Sequence, residues 1–303
     1  MRRSDYYVLP RFMDLQRDGE QGHNALLMGM PGTGKTTLLQ YLAVLAAKGK
    51  DVFGDSREKQ AGIWSARRHD KYLEFFSLGI GRLMLPAGSN YDLLKMRGTE
   101  RQTITLDDLE SEGIDYDTYS SAAEIAEKLE PGKILAILYP GDTLEETAFY
   151  AELFRALVNR KTDEWVHLSI DEAGDLLPPY TGDSWKIQKD FVDATADFRK
   201  RLINSEFGCH WHTDLDPRLW GKLPYHIYKM GAKRMKGETP RLKQETINNT
   251  GVGEGWITYG AFFDKFLYPP MQASAALDYS LQTISRSMQV EVEDSWGQKK
   301  KKK

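Results

Sequence analysis

The sequence predicts an α/β fold around a mainly parallel central sheet, and three observations carry that prediction. Short apolar runs alternate with longer helical patterns along the 303 residues, which is the signature of βαβ units. A glycine-rich stretch, Gly29-Met30-Pro31-Gly32-Thr33-Gly34-Lys35-Thr36, separates the first apolar run from the first helix. Far downstream, a second apolar run ends in Asp171-Glu172.

The elements follow in order. Ala25-Leu26-Leu27-Met28 reads as a buried strand, and Thr36 to Ala47 carries leucines at helical spacing. Asp51-Val52-Phe53 and Gly62-Ile63-Trp64-Ser65 are short strand candidates, and Arg82-Leu83-Met84-Leu85 is a better one. Residues 88–131 are polar and acidic with little core signal, so they are expected to form an insertion. Lys133 to Tyr139 resumes the sheet, and Leu144 to Val158 is a helix whose first turn holds Glu145 and Glu146, as the dipole favours. Val166 to Ile170 is the next strand, followed by a long helix over 185–203 and strands over 208–212 and 225–228. Trp256 to Tyr259 and Phe262 to Tyr268 are expected to close the fold as a hairpin. The division is then an N-terminal extension over 1–20, a main domain over 21–284 and a polar tail over 285–303 that ends in five lysines.

Composition narrows the class. At 41% hydrophobic and 28% charged the chain is neither disordered nor fibrous in type. One cysteine, Cys209, excludes a disulfide framework and a cysteine-based zinc site, and points to a reducing, cytoplasmic setting. No apolar run reaches the about 18 residues that a bilayer requires, and the start lacks the apolar stretch of a signal peptide. The net charge of −3 becomes −8 without the five terminal lysines. Nine acids lie between Asp107 and Glu130 against Lys128 alone, whereas residues 218–243 hold eight cations against Glu238 alone. Net charge therefore neither demands nor excludes a polyanionic partner.

The stretch 29–36 fits G-x-x-x-x-G-K-[ST], the Walker A pattern, between a strand and a helix. Its glycines let backbone N–H groups of Gly32, Thr33 and Gly34 wrap a phosphate at a helix N-terminus. Lys35 is placed to reach the β- and γ-phosphates, Thr36 to ligate Mg²⁺ and Thr37 to support the α-phosphate. Gly29, Met30 and Pro31 complete the ATP-binding loop. The pair Asp171-Glu172 then reads as Walker B, with Asp171 helping to hold Mg²⁺ and Glu172 polarising the attacking water. That pair favours hydrolysis over phosphoryl transfer to a metabolite.

Lys35 and Asp171 are 136 residues apart, well beyond the gap usual in the compact AAA+ arrangement. A long gap, Asp-Glu, a long helix, an apolar strand and a basic segment together resemble the HerA/FtsK superfamily of P-loop motor ATPases, over roughly residues 20–270. That group includes DNA translocases, conjugative coupling proteins, viral packaging ATPases and Zot-like assembly proteins. The resemblance implies a RecA-like sheet, a hexameric ring and ATP-driven movement of DNA. Two positions depart from it. Where the family shows Thr-Gln, with the glutamine sensing the γ-phosphate, this chain has His210-Trp211-His212-Thr213-Asp214, so Thr213, or less favourably His212, is expected to take that role. Where the family often places a trans-acting arginine, this chain has Ser205-Glu206-Phe207, and the nearest arginines are Arg199 and Arg201.

Other features have competing readings. His210 and His212 share one side of a predicted strand, yet lack an evident third metal ligand, so structural histidines are the stronger reading. Cys209 reads as a small core residue. In 218–243, cations interleave with Trp220, Tyr225 and Tyr228, which suits either nucleic acid or a solvated face pairing with the acidic insertion. Arg67-Arg68 is a weaker version of the same idea, and the lysine run is either a DNA or lipid contact or a solubilising tail. The expected function is an ATP-hydrolysing motor that translocates or packages DNA. The alternative is a Zot-like ATPase acting in virion or membrane-complex assembly; such proteins typically carry a membrane segment, which this sequence lacks. A small-molecule kinase would need an arginine-rich lid, and the insertion here is acidic.

Overall fold

The computed structural model describes residues 22–51, 54–65, 70–88, 90–179, 185–268 and 279–286. Expectations for residues 1–20, Val52-Phe53, Arg67-Arg68 and the terminal lysines fall outside the described residues. The strands are β1 (Asn24–Met28), β2 (Ala61–Ser65), β3 (Gly81–Pro86), β4 (Tyr91–Arg97), β5 (Glu100–Ile104), β6 (Tyr116–Tyr119) and β7 (Ile134–Ile137), followed by β8 (Val166–Ile170), β9 (Ile203–Cys209), β10 (Tyr225–Tyr228), β11 (Glu254–Tyr259), β12 (Phe262–Leu267) and β13 (Ser280–Ser285). Three longer helices are α1 (Lys35–Lys48), α2 (Thr143–Asn159) and α3 (Trp185–Asp197).

Ten strands form one sheet in the order β12-β11-β10-β1-β9-β8-β2-β7-β3-β6. The run from β10 to β6 is parallel, and β11 and β12 add the expected antiparallel hairpin. Both faces are covered, which is why the central strands read as continuous apolar runs. In β1, Leu26 and Met28 pack on the side of α2 and α3, while Ala25 and Leu27 face α1, as the two-residue strand period requires. An aromatic cluster centred on Phe154, with Phe191 at 4.3 Å and Phe198 at 4.9 Å between ring centroids, fills the first side.

Two boundaries differ from expectation. The helix begun at Trp185 ends at Asp197, a 3₁₀ turn covers Phe198–Arg201, and Leu202 takes φ 53° before β9 starts at Ile203. β9 therefore starts five residues before the expected strand over 208–212. Its first half hides from a hydropathy reading because Asn204, Ser205 and Glu206 are polar yet buried. Each is partnered: Asn204 donates to Gln60 Oε1 at 2.9 Å, Ser205 donates to Asn24 Oδ1 at 2.9 Å, and Glu206 lies between His23 Nε2 at 2.6 Å and His167 Nε2 at 3.0 Å.

The acidic stretch 88–131 also buries more than its composition suggests. Ile104, Leu109, Ile114, Tyr119 and Ile125 are all buried. β6 extends the main sheet beside β3, while β4 and β5 form a second antiparallel sheet with β13. Many of its acids are answered nearby: Asp115 and Glu130 by Arg82, Asp117 and Glu124 by Lys128, and Glu112 by Lys95.

The His23–Glu206–His167 cluster ties β1, β8 and β9 together beneath the strand ends that carry both nucleotide motifs. Burial pushes the Glu206 carboxyl up, but the two imidazoles outweigh burial and hold it down to about 2. Because the folded value lies below the ordinary 4.5, its contribution is complete above that pH and is lost as pH falls toward about 2. Glu206→Gln is expected to cost about 3 kcal/mol at neutral pH, the scale for breaking a buried pair, and to flatten the acid limb of stability measured by denaturant unfolding across pH.

Candidate nucleotide site

The glycine-rich loop joins β1 to α1 at the carboxyl ends of the parallel strands, where open α/β sheets bind ligands. Gly32 (φ 76°) and Gly34 (φ 87°) both adopt left-handed backbone, which glycine alone takes freely. A side chain at Gly34 would also meet the Tyr268 hydroxyl at 2.6 Å. Helix α1 has no acid in its first turn, so its N-terminus keeps the partial positive charge that favours an anion. Met30, Pro31 and Gly32 are exposed around the loop, Thr33 is buried and donates to Met30 O at 2.8 Å, and Thr37 is partly buried in the first turn of α1.

Lys35 is buried with its ammonium folded back onto the loop, donating to Gly29 O at 2.7 Å and Met30 O at 3.4 Å. Burial holds it below its ordinary pKa, against the upward pull of Glu172 and then Asp171. Two of its contacts are thus backbone carbonyls, for which phosphate oxygens are a stronger replacement.

The second motif sits directly alongside. The Thr36 hydroxyl donates to Asp171 Oδ2 at 2.5 Å. These hard oxygen donors, one on each motif, fit Mg²⁺, which takes one or two protein carboxylates or hydroxyls and completes its shell with water and phosphate. A side chain at Gly208, on the adjacent β9, would meet Asp171 Oδ1 at 2.9 Å, so the glycine leaves room for that carboxylate. Glu172 has φ 53°, one of two non-glycine residues with positive φ among those described. Successive residues of a strand point to opposite faces. The left-handed turn breaks that alternation, so Glu172 joins Asp171 in the field of Lys35.

The two histidines that the sequence pairs as metal candidates part company in the structure. His210, the first residue after β9, places Nδ1 3.2 Å from Lys35 Nζ and Nε2 3.5 Å from Glu172 Oε2. His212 is buried and packs edge-on against Trp220 at 4.9 Å. Thr213 lies exposed in the 3₁₀ turn His212–Asp214. Cys209 is buried, and burial pushes its thiol far up, as suits a core residue. Arg199 donates to Gly22 O at 3.3 Å, near the amino end of β1 and away from the loop.

Two residues that sequence reasoning misses brace the loop from the other side. Tyr268, just past β12, donates to Gly34 O at 2.8 Å. Lys229, just past β10, is fully buried, and its ammonium donates to the Tyr268 hydroxyl at 2.7 Å and to Glu254 O. Only the long-range hairpin brings them there.

The basic segment 218–243 divides into spent and exposed cations. Arg218 is taken by Asp216, Lys229 by the brace and Arg234 by the carbonyls of Glu238 and Thr239. Lys222, Lys233, Lys236, Arg241 and Lys243 are exposed. The aromatic residues between them are committed elsewhere: Trp220 against His212, Tyr225 stacked on Tyr259 at 4.5 Å, and Tyr228 buried with its hydroxyl on Glu238. They are not a stacking platform for bases. Lys35→Ala is expected to weaken ATP binding about 100-fold or more, the cost of deleting a buried charged contact, measured by isothermal titration with a non-hydrolysable analogue.

No family model and no curated protein matches this sequence. Solved structures do. The bacterial conjugative coupling protein TrwBdeltaN70 is 13% identical with a TM-score of 0.52, over 85% of this chain and 87% of that one. VirB4 of Thermoanaerobacter pseudethanolicus is 14% identical with a TM-score of 0.50, over 82% of this chain and 90% of that one. The genome packaging NTPase B204 of Sulfolobus turreted icosahedral virus 2 is 13% identical with a TM-score of 0.47, over 82% of this chain and 98% of that one. At these identities the likeness is one of fold, and the RecA-like P-loop architecture that the sequence resemblance implied is the architecture this chain has.

Proposed function

We propose that this protein is an ATP-hydrolysing motor that moves or packages DNA. The observation that carries the hydrolytic half is the meeting of Lys35, Thr36, Asp171 and Glu172 at one loop, 2.5 Å apart at their closest. The backbone of 29–34 and the α1 N-terminus bind the phosphates, and Lys35 turns from Gly29 and Met30 onto the β- and γ-phosphate oxygens. Thr36 and Asp171 would hold Mg²⁺, whose role is to neutralise charge on the phosphates. Glu172 accepts a proton from the attacking water and orients it in line with the γ-phosphate. His210 is better placed than Thr213 to sense that phosphate, since it already contacts both Lys35 and Glu172.

The DNA half rests on the exposed cations of 233–243 and on the fold shared with the conjugative coupling protein. With no aromatic platform among them, the binding fits phosphate contacts that read no sequence. The superfamily resemblance implies a hexameric ring, and we take that as the working assembly. No described helix is long and apolar enough to cross a membrane; what favours the motor over Zot-like assembly is the group of exposed cations over 233–243.

Glu172→Gln is expected to keep ATP affinity while turnover falls by about 100-fold or more, the range for loss of a general base; unchanged phosphate release would remove Glu172 from that role. Replacing Lys233, Lys236, Arg241 and Lys243 by alanine should weaken binding to duplexes of different sequence alike. For every phosphate that a removed cation had neutralised, the slope of log affinity against log salt should fall by about 1; an unchanged slope would place the DNA elsewhere.

A further inference from the structure

Residues 229–231 touch the start of the phosphate loop and reach its end through Tyr268, and the exposed cations begin two residues later. The Lys229 amide donates to Met28 O at 2.8 Å, and the Met30 amide donates to Met230 O at 3.1 Å. Gly231, at φ 75°, lies so close to Met30 that a side chain there would meet Met30 Cγ at 2.5 Å. These contacts hold the start of the loop. Its end is held through the Lys229 ammonium, which donates to the Tyr268 hydroxyl, which in turn donates to Gly34 O.

This brace is built from an expensive part. Lys229 is fully buried, its ammonium lies 4.4 Å from the centroid of the Tyr268 ring, and it has no carboxylate within ion-pair distance among the described residues. The Glu254 carboxylate beside it is taken by Lys265 at 2.8 Å and by the Gly251 amide at 2.9 Å. A methionine would fill the same space without the cost of desolvating a cation. What the ammonium adds is direction: it donates to the Tyr268 oxygen, so that hydroxyl serves it as acceptor and turns its own proton to Gly34 O. Gly34 is also the N-cap of α1, and its left-handed backbone sets the phosphate-binding turn.

We infer that Lys229 and Tyr268 are positioning residues that couple the conformation of the phosphate loop to the basic loop starting at Met230, so that nucleotide binding changes the surface offered by Lys233 and Lys236. The coupling deepens the motor reading, and its link to DNA rests on that reading. When Lys35 and the loop amides close on phosphate, the Met30–Met230 bond and the Gly34–Tyr268 bond are the contacts that carry the loop's movement outward. Both lead into 229–236. Linkage makes the effect reciprocal, so a ligand held by the basic loop shifts nucleotide affinity by the same factor.

The test is hydrogen exchange by mass spectrometry on the full chain, with and without a non-hydrolysable ATP analogue and without DNA. Amides of 230–236 are expected to change their exchange rate by about fivefold or more on analogue binding, the lower end of measured coupling. Tyr268→Phe, which keeps the ring and removes the hydroxyl, should diminish that response while the analogue still protects 31–36, and Lys229→Met should do the same. A wild-type loop indifferent to the analogue, or a full response in Tyr268→Phe, would overturn the coupling. A responding loop in a protein that neither binds duplex DNA nor hydrolyses ATP faster with it would sustain the coupling and overturn the DNA reading alone.

Discussion

The Thr36–Asp171 hydrogen bond joins side chains 135 residues apart in sequence, and the rest of the molecule can be read as the means of making that contact. β8 must end beside α1, which requires β9 between β8 and β1, all three parallel and in fixed register. A one-residue slip would turn Asp171 to the opposite face. The buried Glu206 carboxylate between His23 and His167 resists such a slip, since any shift would strand a charge in the core. Stability and site geometry are therefore set by the same three strands.

Charge is arranged around that contact by depth. At the loop, two carboxylates and a desolvated lysine sit close together, a balance that added phosphate and metal would re-weight without exposing any of them. One layer behind, Lys229 stands buried with no carboxylate in ion-pair range among the described residues. At the surface, the acids of 104–131 are answered in part by neighbouring cations, whereas Lys233, Lys236, Arg241 and Lys243 remain exposed on the far side of β1. The lopsided charge seen along the sequence thus becomes an unequal one in space: five acids of the acidic segment pair with Arg82, Lys95 and Lys128, whereas the cations over 233–243 stand mostly exposed.

The parts legible in the sequence are those whose physics is local. The loop 29–36 is a contiguous string of glycines and hydroxyls, and β8 with Asp171-Glu172 is an apolar run with a sharp end. The strands β1, β2, β3, β7 and β10 and the closing hairpin show through hydropathy for the same reason. What stays hidden is long-range. The start of β9 is masked because its buried polar residues are satisfied by partners on three other segments. β13 pairs with β4 across well over half the chain, Ser280 opposite Met96 and Ser285 opposite Tyr91. His210 is visible only as one of two histidines, because hydropathy carries the strand three residues past its end at Cys209. Lys229 looks like one more cation in a basic run, and nothing local to residue 229 announces a buried partner at 268.

The central claim is that ATP hydrolysis at this loop is coupled to DNA. Its most direct test is steady-state ATP turnover by the wild-type protein as double-stranded DNA is titrated in at low salt. The account predicts that turnover rises with DNA, saturates, and loses the increment as salt screens the phosphate contacts. Turnover that is the same at every DNA concentration would contradict it.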